Sequence, residues 1–348
     1  MSEIVFDRAG ALGLMTLNRP KALNALTHDM TVAVRAQLAE WAADEAIQAV
    51  AVEGAGEKAF CAGGDVVQVV KDFRDGRDGW WRFFADEYRM NHAIATFPKP
   101  YVSLIDGISM GGGFGLSVHG SHRVLTPKTV FAMPETGLGL IADVGSAWVL
   151  PRWPGRVGLY LALTGYRCDA ADSLLVGYGT HCIASDGVAA VKQALADAQN
   201  VDAVLRAQAH DPGPAKLADG KDRIDRHFGS DTIDDIIGSL EQGDDWAVKT
   251  HAHLLRMSPT SLKVTTEQMR RGSSAEDLAG VLAMEYRIVR HMLQHGQDFF
   301  EGVRALLIDK DKSPTWQPAH LDEVSDAAVA AHFAPIGGDE LQLTDTAC

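Results

Sequence analysis

The chain has 348 residues, of which 46% are hydrophobic and 22% are charged, and its formal net charge at pH 7 is −14. This composition predicts an ordinary globular protein with one large core and a smaller appendage, and it excludes a disordered chain. The acidic balance argues against nucleic acid as a main partner, because phosphate binding requires a basic surface.

The sequence predicts no membrane-spanning helix, because no apolar run approaches the ~20 residues that such a helix needs. Residues 1–7 lack the basic-then-apolar order of a signal peptide and the arginines of a transit peptide, which predicts a cytoplasmic location. The cysteines are scattered without a CxxC pair, which predicts reduced thiols. They are Cys61, Cys168, Cys182 and Cys348.

Metal binding is not predicted. The histidine pairs His119/His122 and His291/His295 have helical spacing, but a third ligand of suitable spacing is missing from the sequence around each pair. Structural or surface roles are therefore the expectation for these histidines.

The first part of the chain predicts alternating strands and helices. Residues 4–17 alternate apolar and polar side chains and break at Asn18–Pro20, which predicts two strands and a turn. Thr27 is a predicted N-cap of the next helix. Residues 49–52 predict a short buried strand before a glycine-rich turn at 61–65. The aromatic-rich stretch 79–97 predicts a helix that either covers the mouth of a site or packs in the core.

The next part repeats this pattern. Residues 101–105 predict a strand, and the glycines at 111–113 open a predicted helix. The N–H of Gly112 would then lie at a helix N-terminus, where unpaired donors and the positive end of the helix dipole favour an oxyanion. Residues 122–126 and 130–133 predict short strands that lead to Glu135.

After about residue 185 the pattern predicts mainly helices. Breaks fall at Gly243 and at Ser258-Pro259, and residues 278–293 form an amphipathic run. Residues 337–348 are expected to form a frayed tail.

Two carboxylates, Glu135 and Asp143, follow the two glycine-rich turns. Backbone N–H groups can stabilise negative charge on a carbonyl oxygen while a carboxylate moves a proton or activates water. Together these residues predict chemistry at a carbonyl group. The alternative is that the glycines are only turns and the acids only solvated.

A competing motif occupies residues 107–111, which match the nucleophile-elbow pattern GxSxG with Ser109 at its centre. Asp143 and His181 could complete a triad in the required order. This alternative leaves the turn at Gly63-Gly64 and Glu135 without a role. The patterns GxGxxG and GxxxxGK[ST] are missing from the sequence, so nicotinamide and nucleoside triphosphate chemistry have no support.

Three segments, 60–65, 106–113 and 131–136, resemble the crotonase (enoyl-CoA hydratase/isomerase) superfamily. The continuation resembles its 3-hydroxyisobutyryl-CoA hydrolase branch, so that the similarity spans nearly the whole chain. The segments that carry this second resemblance are 115–120, 162–166, 258–263 and, above all, 298–314.

The resemblance implies an α/β fold with a repeated ββα spiral core and a helical C-terminal region. Residues 1–200 would form the acyl-CoA-binding catalytic core, and residues 201–348 the mainly helical region. The implied partner is a bent acyl-CoA thioester, and no separate cofactor is implied because coenzyme A is part of the substrate. In such a fold the N–H groups of Gly64 and Gly112 hold the thioester oxygen.

Glu135 corresponds to the second catalytic glutamate of the hydratases, whereas their first glutamate falls at Gly115 of this chain. The pair that adds water across a double bond is therefore incomplete. Asp143 corresponds to the second acid of the hydrolase branch. The family usually has Phe-Pro before this aspartate and Gly-Gly near it, whereas residues 141–146 read Ile-Ala-Asp-Val-Gly-Ser. Loss of the rigid proline leaves the preferred acyl group open.

The resemblance also assigns the coenzyme A end of the site. Arg19, Lys21 and Ala62 would bind coenzyme A, and Lys310 and Lys312 are weaker candidates for its phosphates. The alternative for each cation is a plain surface charge, which is the more common role of such residues.

Glu87 could reach the substrate from the aromatic-rich helix, although an exposed ion pair is an equal alternative. The predicted reaction is hydrolysis of a short branched β-hydroxyacyl-CoA, with 3-hydroxyisobutyryl-CoA from valine breakdown as the expected substrate. Glu135 would attack the thioester to give an anhydride or would act as a base on water. Asp143 would orient the substrate hydroxyl or help to protonate the thiolate, unless it is only a helix cap.

Two other classes of function stay open. One is a hydratase or isomerase that uses Glu135 alone on an enoyl-CoA, and the other is a non-catalytic acyl-CoA-binding protein. The superfamily commonly forms trimers or their dimers, so a homo-oligomer is a further expectation.

Overall fold

The computed structural model describes residues 2–77, 79–295 and 297–343. They fold into two compact units, each assembled from three stretches of the chain. The first unit comprises the described parts of Met1–Asp65, Arg89–Ala132 and Arg167–Asp219, and the second those of Val66–Tyr88, Met133–Tyr166 and Gly220–Cys348.

The first unit contains two sheets. The larger has the order β1-β2-β3-β5-β7-β9, in which only β1 and β2 pair antiparallel, and the smaller is a parallel sheet of order β4-β6-β8. The strands are β1 Ile4–Ala9, β2 Leu12–Leu17, β3 Ala49–Gly54, β4 Ala59–Cys61, β5 Tyr101–Ile105, β6 Ile108–Met110, β7 His122–Leu125, β8 Val130–Ala132 and β9 His181–Cys182.

Consecutive strands β3-β4, β5-β6 and β7-β8 form a repeat, since the first member of each pair joins the large sheet and the second joins the small one. Parallel strands are covered on both faces, which accounts for the continuous apolar runs in β3 and β5. The predicted α/β class and repeated core are confirmed.

Helices make up most of the remaining structure. Thr27 caps the first helix as predicted, because its side chain accepts a hydrogen bond from the N–H of Met30. The helices are α1 His28–Ala43, α2 Val66–Arg74, α3 Arg82–Ala95, α4 Gly112–Val118, α5 Ser146–Val149, α6 Val157–Thr164, α7 Ala170–Val176, α8 Val188–Ala196, α9 Val201–Ala207, α10 Lys216–His227, α11 Ile233–Glu241, α12 Asp245–Leu254, α13 Pro259–Ser273, α14 Leu278–His295, α15 Asp298–Val303 and α16 Asp326–Ala331.

Beyond Cys182 the described residues form helices and no named strand, which confirms a helical C-terminal region. The division of the sequence at residue 200 stays a prediction about where the catalytic core ends. It is a different division from that of the two compact units, which interleave along the chain.

The expected frayed tail at 337–348 is wrong for residues 337–343. Glu340 Oε2 lies 2.8 Å from Arg287 Nε, and Asp339 Oδ2 lies 3.1 Å from Arg290 Nη2. Leu341 is also buried. Both arginines belong to α14, so the ion pairs that hold this segment are distant in sequence and leave no local pattern. Residues 344–348 lie outside the described residues.

Cys61, Cys168 and Cys182 are buried and form no disulfide among the described residues, whereas Cys348 lies outside those residues. None of the described helices has the length and apolar character needed to cross a membrane.

Candidate active site

Two glycine-rich turns lie at the carboxyl ends of neighbouring parallel strands in the first unit. Cys61 of β4 pairs with Ser109 of β6, which brings the segments that follow them together. A Cβ atom on Gly63 would lie 3.7 Å from the nitrogen of Gly112, and one on Gly113 only 2.2 Å from the carbonyl oxygen of Cys61. These close approaches, and a φ of +113° at Gly63, explain why glycines occupy the turns.

The two N–H groups predicted to hold an oxyanion belong to these turns. Leu26 and Gly64 form an isolated β-bridge. Its two hydrogen bonds, both 2.8 Å long, run from Leu26 N to Gly63 O and from Asp65 N to Leu26 O. The N–H of Gly64 takes part in neither of them. Gly112 is the first residue of α4, where an N–H has no partner within the helix. Both donors can therefore take a ligand oxygen, although their role stays a prediction.

The nucleophile-elbow alternative is not supported by the contacts of Ser109. This side chain is buried, and its Oγ lies 2.7 Å from Tyr178 Oη, which also lies 2.8 Å from Ser117 Oγ. His181 Nδ1 instead lies 2.9 Å from Thr180 Oγ1. Ser109 thus belongs to a buried hydroxyl network that braces α4.

The predicted coenzyme A ligands near the first hairpin have different surroundings. Arg19 is half-buried, and its Nη2 lies 2.9 Å from Asp65 Oδ2 in an ion pair. The N–H of Ala62 donates to the carbonyl of Leu23 at 3.0 Å. Lys21 is exposed on a short 3-10 turn. Arg19 therefore has a structural role already, while Lys21 presents its charge to solvent.

The weaker cationic candidates follow a π-helical turn, Arg304–Ile308, in the second unit. Lys310 and Lys312 are exposed, with φ values of 60° and 58°. Arg304 is engaged nearby with Asp309 at 2.8 Å and Asp311 at 2.6 Å. The two lysines are thus surface cations, and their binding role stays a prediction.

Glu135 begins a 3-10 turn of the second unit, Glu135–Leu138. Thr136 Oγ1 fixes this turn by donating to the carbonyl of Leu163 at 3.0 Å. Glu135 is 5% exposed, and its buried Oε2 has no hydrogen-bond partner among the described residues. Burial, and then the charge of Asp143, raise the pKa of Glu135 well above the usual value. An unsatisfied buried carboxyl oxygen is a candidate contact for substrate or water.

The segment around residues 298–302 packs behind this turn. A Cβ on Gly139, where φ is +72°, would lie 2.4 Å from the backbone carbon of Asp298, and one on Gly302 would lie 2.4 Å from Leu138 O. Asp298 is fixed by Ser258, whose hydroxyl donates to Oδ2 at 2.6 Å. The C-terminal segment that resembled the hydrolase branch therefore supports the Glu135 turn directly.

Asp143 is held by a tyrosine on α3. The hydroxyl of Tyr88 donates to Asp143 Oδ2 at 2.6 Å in a buried hydrogen bond. Burial raises the pKa of Asp143 to about 6, against the opposing effect of this hydrogen bond. The helix-cap alternative does not describe this side chain, because α5 begins after Gly145 without a side-chain cap.

Glu87 precedes Tyr88 on α3 and is 2% exposed. The alternative of an exposed ion pair is therefore wrong. Its Oε1 is buried without a hydrogen-bond partner in the part of the chain that the structure describes. Burial, followed by the charges of Asp143 and Glu135, raises the pKa of Glu87 well above its usual value. Glu87, Glu135 and Asp143 thus form one buried acidic cluster.

Sequence reasoning missed three residues around this cluster, namely Tyr88, Gln268 and Glu285. Glu285 on α14 accepts hydrogen bonds from Gly145 N at 2.6 Å, Ala147 N at 3.0 Å and Gln268 Nε2 at 3.0 Å. The available signal was a glutamate on the apolar face of an amphipathic helix. That signal gives no partner, because Gly145 and Glu285 are 140 residues apart.

The first unit contains backbone N–H donors suited to an oxyanion, and the second unit contains a cluster of buried carboxyl groups. A family model described as enoyl-CoA hydratase/isomerase matches residues 12–333. The chain belongs to the enoyl-CoA hydratase/isomerase family. It is 44% identical to a Danio rerio protein named 3-hydroxyisobutyryl-CoA hydrolase, mitochondrial, over 98% of this chain and 92% of that protein. A Homo sapiens relative of the same name is 41% identical over 98% and 91%.

Solved structures of family members confirm the crotonase-like fold. A carnitinyl-CoA dehydratase from Mycobacterium thermoresistibile has a TM-score of 0.93 and 41% identity, covering 99% of this chain and 100% of that one. An enoyl-CoA hydratase from Rhodobacter sphaeroides 2.4.1 has a TM-score of 0.91 and 36% identity, covering 98% and 100%. Relatives of similar identity thus carry the names of three different activities.

Proposed function

We propose that this protein hydrolyses 3-hydroxyisobutyryl-CoA to 3-hydroxyisobutyrate and coenzyme A, a step of valine degradation. The observation that carries the proposal is the buried pair Glu135 and Asp143, combined with a glycine at position 115. Relatives 41–44% identical over nearly the whole chain bear the name of this hydrolase, which supports the same reaction.

In the proposed mechanism, the N–H groups of Gly64 and Gly112 form an oxyanion hole for the thioester oxygen. Loss of one such donor typically lowers the rate by ~10²–10³. These donors are fixed before the reaction by the tight packing of Gly63 and Gly113, so little reorganisation is required when charge develops.

Glu135 acts in its ionised form by one of two routes. As a nucleophile, one of its oxygens attacks the thioester carbon and expels the coenzyme A thiolate, and water then cleaves the anhydride. As a base, it takes a proton from the water that attacks the thioester carbon, and the tetrahedral intermediate expels the thiolate. Asp143 and Glu87 bind the hydroxyacyl group, and Asp143 assists protonation of the thiolate when it holds a proton.

The substrate brings its own coenzyme A, so no additional cofactor is part of this proposal. Lys21 is a candidate partner for the phosphates, because an acidic chain needs local cations to bind them. Arg19 and Ala62 contribute to the same coenzyme A subsite through the turn that they stabilise.

A hydratase or isomerase is the second candidate function, favoured by the names of the two solved relatives. Residue 115, to which the resemblance assigns the first catalytic glutamate of the hydratases, is a buried glycine in α4. Without that carboxylate, only one acid of the pair that adds water to a double bond is present.

Two assays separate the candidates. Free-thiol release from 3-hydroxyisobutyryl-CoA is measured beside hydration of crotonyl-CoA, with both products identified by mass spectrometry. Thiol release with little hydration is the expected result. Hydration without thiol release would instead identify the protein as a hydratase. The assay is then repeated with unbranched and longer β-hydroxyacyl-CoA thioesters. This tests which acyl group the enzyme prefers with Ile141 and Ala142 before Asp143.

A cytoplasmic location and a homo-oligomeric state are also proposed, with neither nucleic acid nor membrane as a partner. The curated relatives are named mitochondrial, so cell fractionation is the test of location. Light scattering after size-exclusion chromatography gives the mass of the assembly, against 37.4 kDa for one chain.

A further inference from the structure

We propose that Tyr88 and Glu285 are positioning residues that hold Asp143 from two sides, Tyr88 through the carboxylate and Glu285 through the backbone that follows it. This inference rests on the proposed function, because it assigns both residues to the same acid. Both residues act through Asp143 and not on the substrate itself.

Tyr88 fixes the direction of the Asp143 side chain. Its hydroxyl is completely buried and lies 2.6 Å from Asp143 Oδ2. The ring packs edge-on against Tyr286, with centroids 6.3 Å apart and planes at 81°. Tyr286 is itself held by a hydrogen bond of 2.9 Å from Arg290 Nη1. The donor therefore approaches Asp143 from an immobilised ring.

Glu285 fixes the backbone on the C-terminal side of Asp143. Val144 has a φ of +56°, which is a strained conformation for a β-branched residue, and Gly145 has a φ of +84°. Such a turn persists only when its surroundings hold it. The carboxyl of Glu285 does so, because one oxygen accepts the N–H of Gly145 at 2.6 Å and the other that of Ala147 at 3.0 Å.

Gln268 extends this support to the N-terminal side. Its Nε2 donates to the carbonyl of Ala142 at 2.7 Å and to Glu285 Oε1 at 3.0 Å. Peptide groups before and after Asp143 are thus tied to one buried pair of side chains from α13 and α14. A distortion of either would move the acid relative to its tyrosine donor.

The titratable groups that act on Asp143 and its supports are Glu87 and Tyr88 from α3, Glu135 from the 3-10 turn and Glu285 from α14. The hydrogen bond from Tyr88 favours the ionised form of Asp143 and so opposes the effect of burial on its pKa. Removal of this hydrogen bond alone should therefore raise the pKa of Asp143.

The test uses Tyr88→Phe and Glu285→Gln in the full chain. Tyr286→Phe is the control for the first, since it also removes a buried tyrosine hydroxyl, one that accepts from Arg290, and keeps the ring that packs against Tyr88. Glu267→Gln is the control for the second, since Glu267 lies beside Gln268 on α13 but pairs with Arg270 and Arg271 at the surface. Thiol release gives kcat and KM, and circular dichroism checks the fold.

A second readout is independent of activity. Carbon NMR of protein labelled at the Asp carboxyl, with Asp143→Asn for assignment, follows the titration of Asp143 directly. Tyr88→Phe should move this titration from about 6 to higher pH, whereas Tyr286→Phe should not. Glu285→Gln should lower kcat about tenfold with KM changed less than about threefold, and Glu285→Ala should lower it further.

Each outcome decides the inference. Variants that match their controls in kcat and in the Asp143 titration would overturn it, even if the wild type releases thiol at the expected rate. If Glu285→Gln does not fold, the Asp143 titration in Tyr88→Phe decides alone. A wild type that releases no thiol would refute the proposed function, while an unchanged titration would separately refute the positioning role of Tyr88.

Discussion

Among single residues, Glu87, Glu135 and Asp143 cannot be treated as separate acids. Each is buried, and the charge of Asp143 raises the pKa of both glutamates. Like charges that share a desolvated site titrate as a group, so the pKa values of these acids belong to the cluster and not to single residues. A base of raised pKa in such a cluster holds its proton more tightly and is stronger when ionised.

Asp143→Asn tests this coupling. The substitution removes the negative charge that raises the pKa of Glu135, so that pKa falls. We expect the acid limb of kcat/KM for residual thiol release to move to lower pH, while kcat falls by ~10²–10⁴. The measurement is a pH profile of both proteins. An acid limb that stays in place, or moves to higher pH, would contradict the coupling.

Some residues of this acidic cluster and its supports can be predicted from the sequence, and others cannot. Glu135 and Asp143 follow recognisable motifs and could be predicted. Tyr88 is 55 residues from its partner Asp143, and Glu285 is 140 residues from Gly145. Contacts of that kind depend on packing, and neither periodicity nor spacing specifies them.

Among the structural elements, the turn Glu135–Leu138 and helix α15 pack in direct backbone contact. Gly302 places its α-carbon so close to Leu138 that a methyl group would lie 2.4 Å from the carbonyl oxygen and 2.5 Å from the carbonyl carbon. Backbone atoms cannot yield as a flexible side chain can, so the helix and the turn fit only with glycine here.

Gly302→Ala should therefore displace the turn that carries Glu135. We expect a loss of about 1–3 kcal/mol in the free energy of unfolding and a lower kcat for thiol release. The matched control is Gly238→Ala in α11, where a Cβ meets nothing within 4 Å. That change should stabilise the protein by about 0.5–1 kcal/mol. Denaturant unfolding of both variants is the measurement, and equal stabilities would refute the packing argument.

Sequence patterns predicted elements well where they are local. The strand β5 at Tyr101–Ile105 and the N-cap at Thr27 agree with the structure. Residues 337–348 are instead predicted to fray, because their short polar pattern gives no sign of the arginines on α14 that pair with Asp339 and Glu340. Elements stabilised by distant ion pairs are therefore the ones that local patterns miss.

For the molecule as a whole, buried carboxyls link stability to pH. Burial raises the pKa of Glu285 to about 8, and those of Glu87 and Glu135 are also raised. A group whose pKa is higher in the folded than in the unfolded protein stabilises the fold while both states are protonated. That contribution is lost as pH rises through the folded pKa.

The free energy of unfolding should consequently fall between about pH 4.5 and about pH 8. In Glu285→Gln the fall should be shallower, because one of the groups no longer titrates. Urea unfolding at about pH 6 and about pH 8.5 provides the comparison. Glu267→Gln serves again as the control. A free energy of unfolding that increases with pH in the wild type over this range would contradict the raised pKa values of these buried carboxyls.

The proposed hydrolysis depends on Glu135. It is tested by the rate of free-thiol release from 3-hydroxyisobutyryl-CoA by the wild type and by Glu135→Gln. We expect release by the wild type and a loss of ~10²–10⁴ in kcat for the variant, which keeps the shape but not the basicity of the side chain. A variant that releases thiol at the wild-type rate would show that this carboxylate is not the group that acts on the thioester.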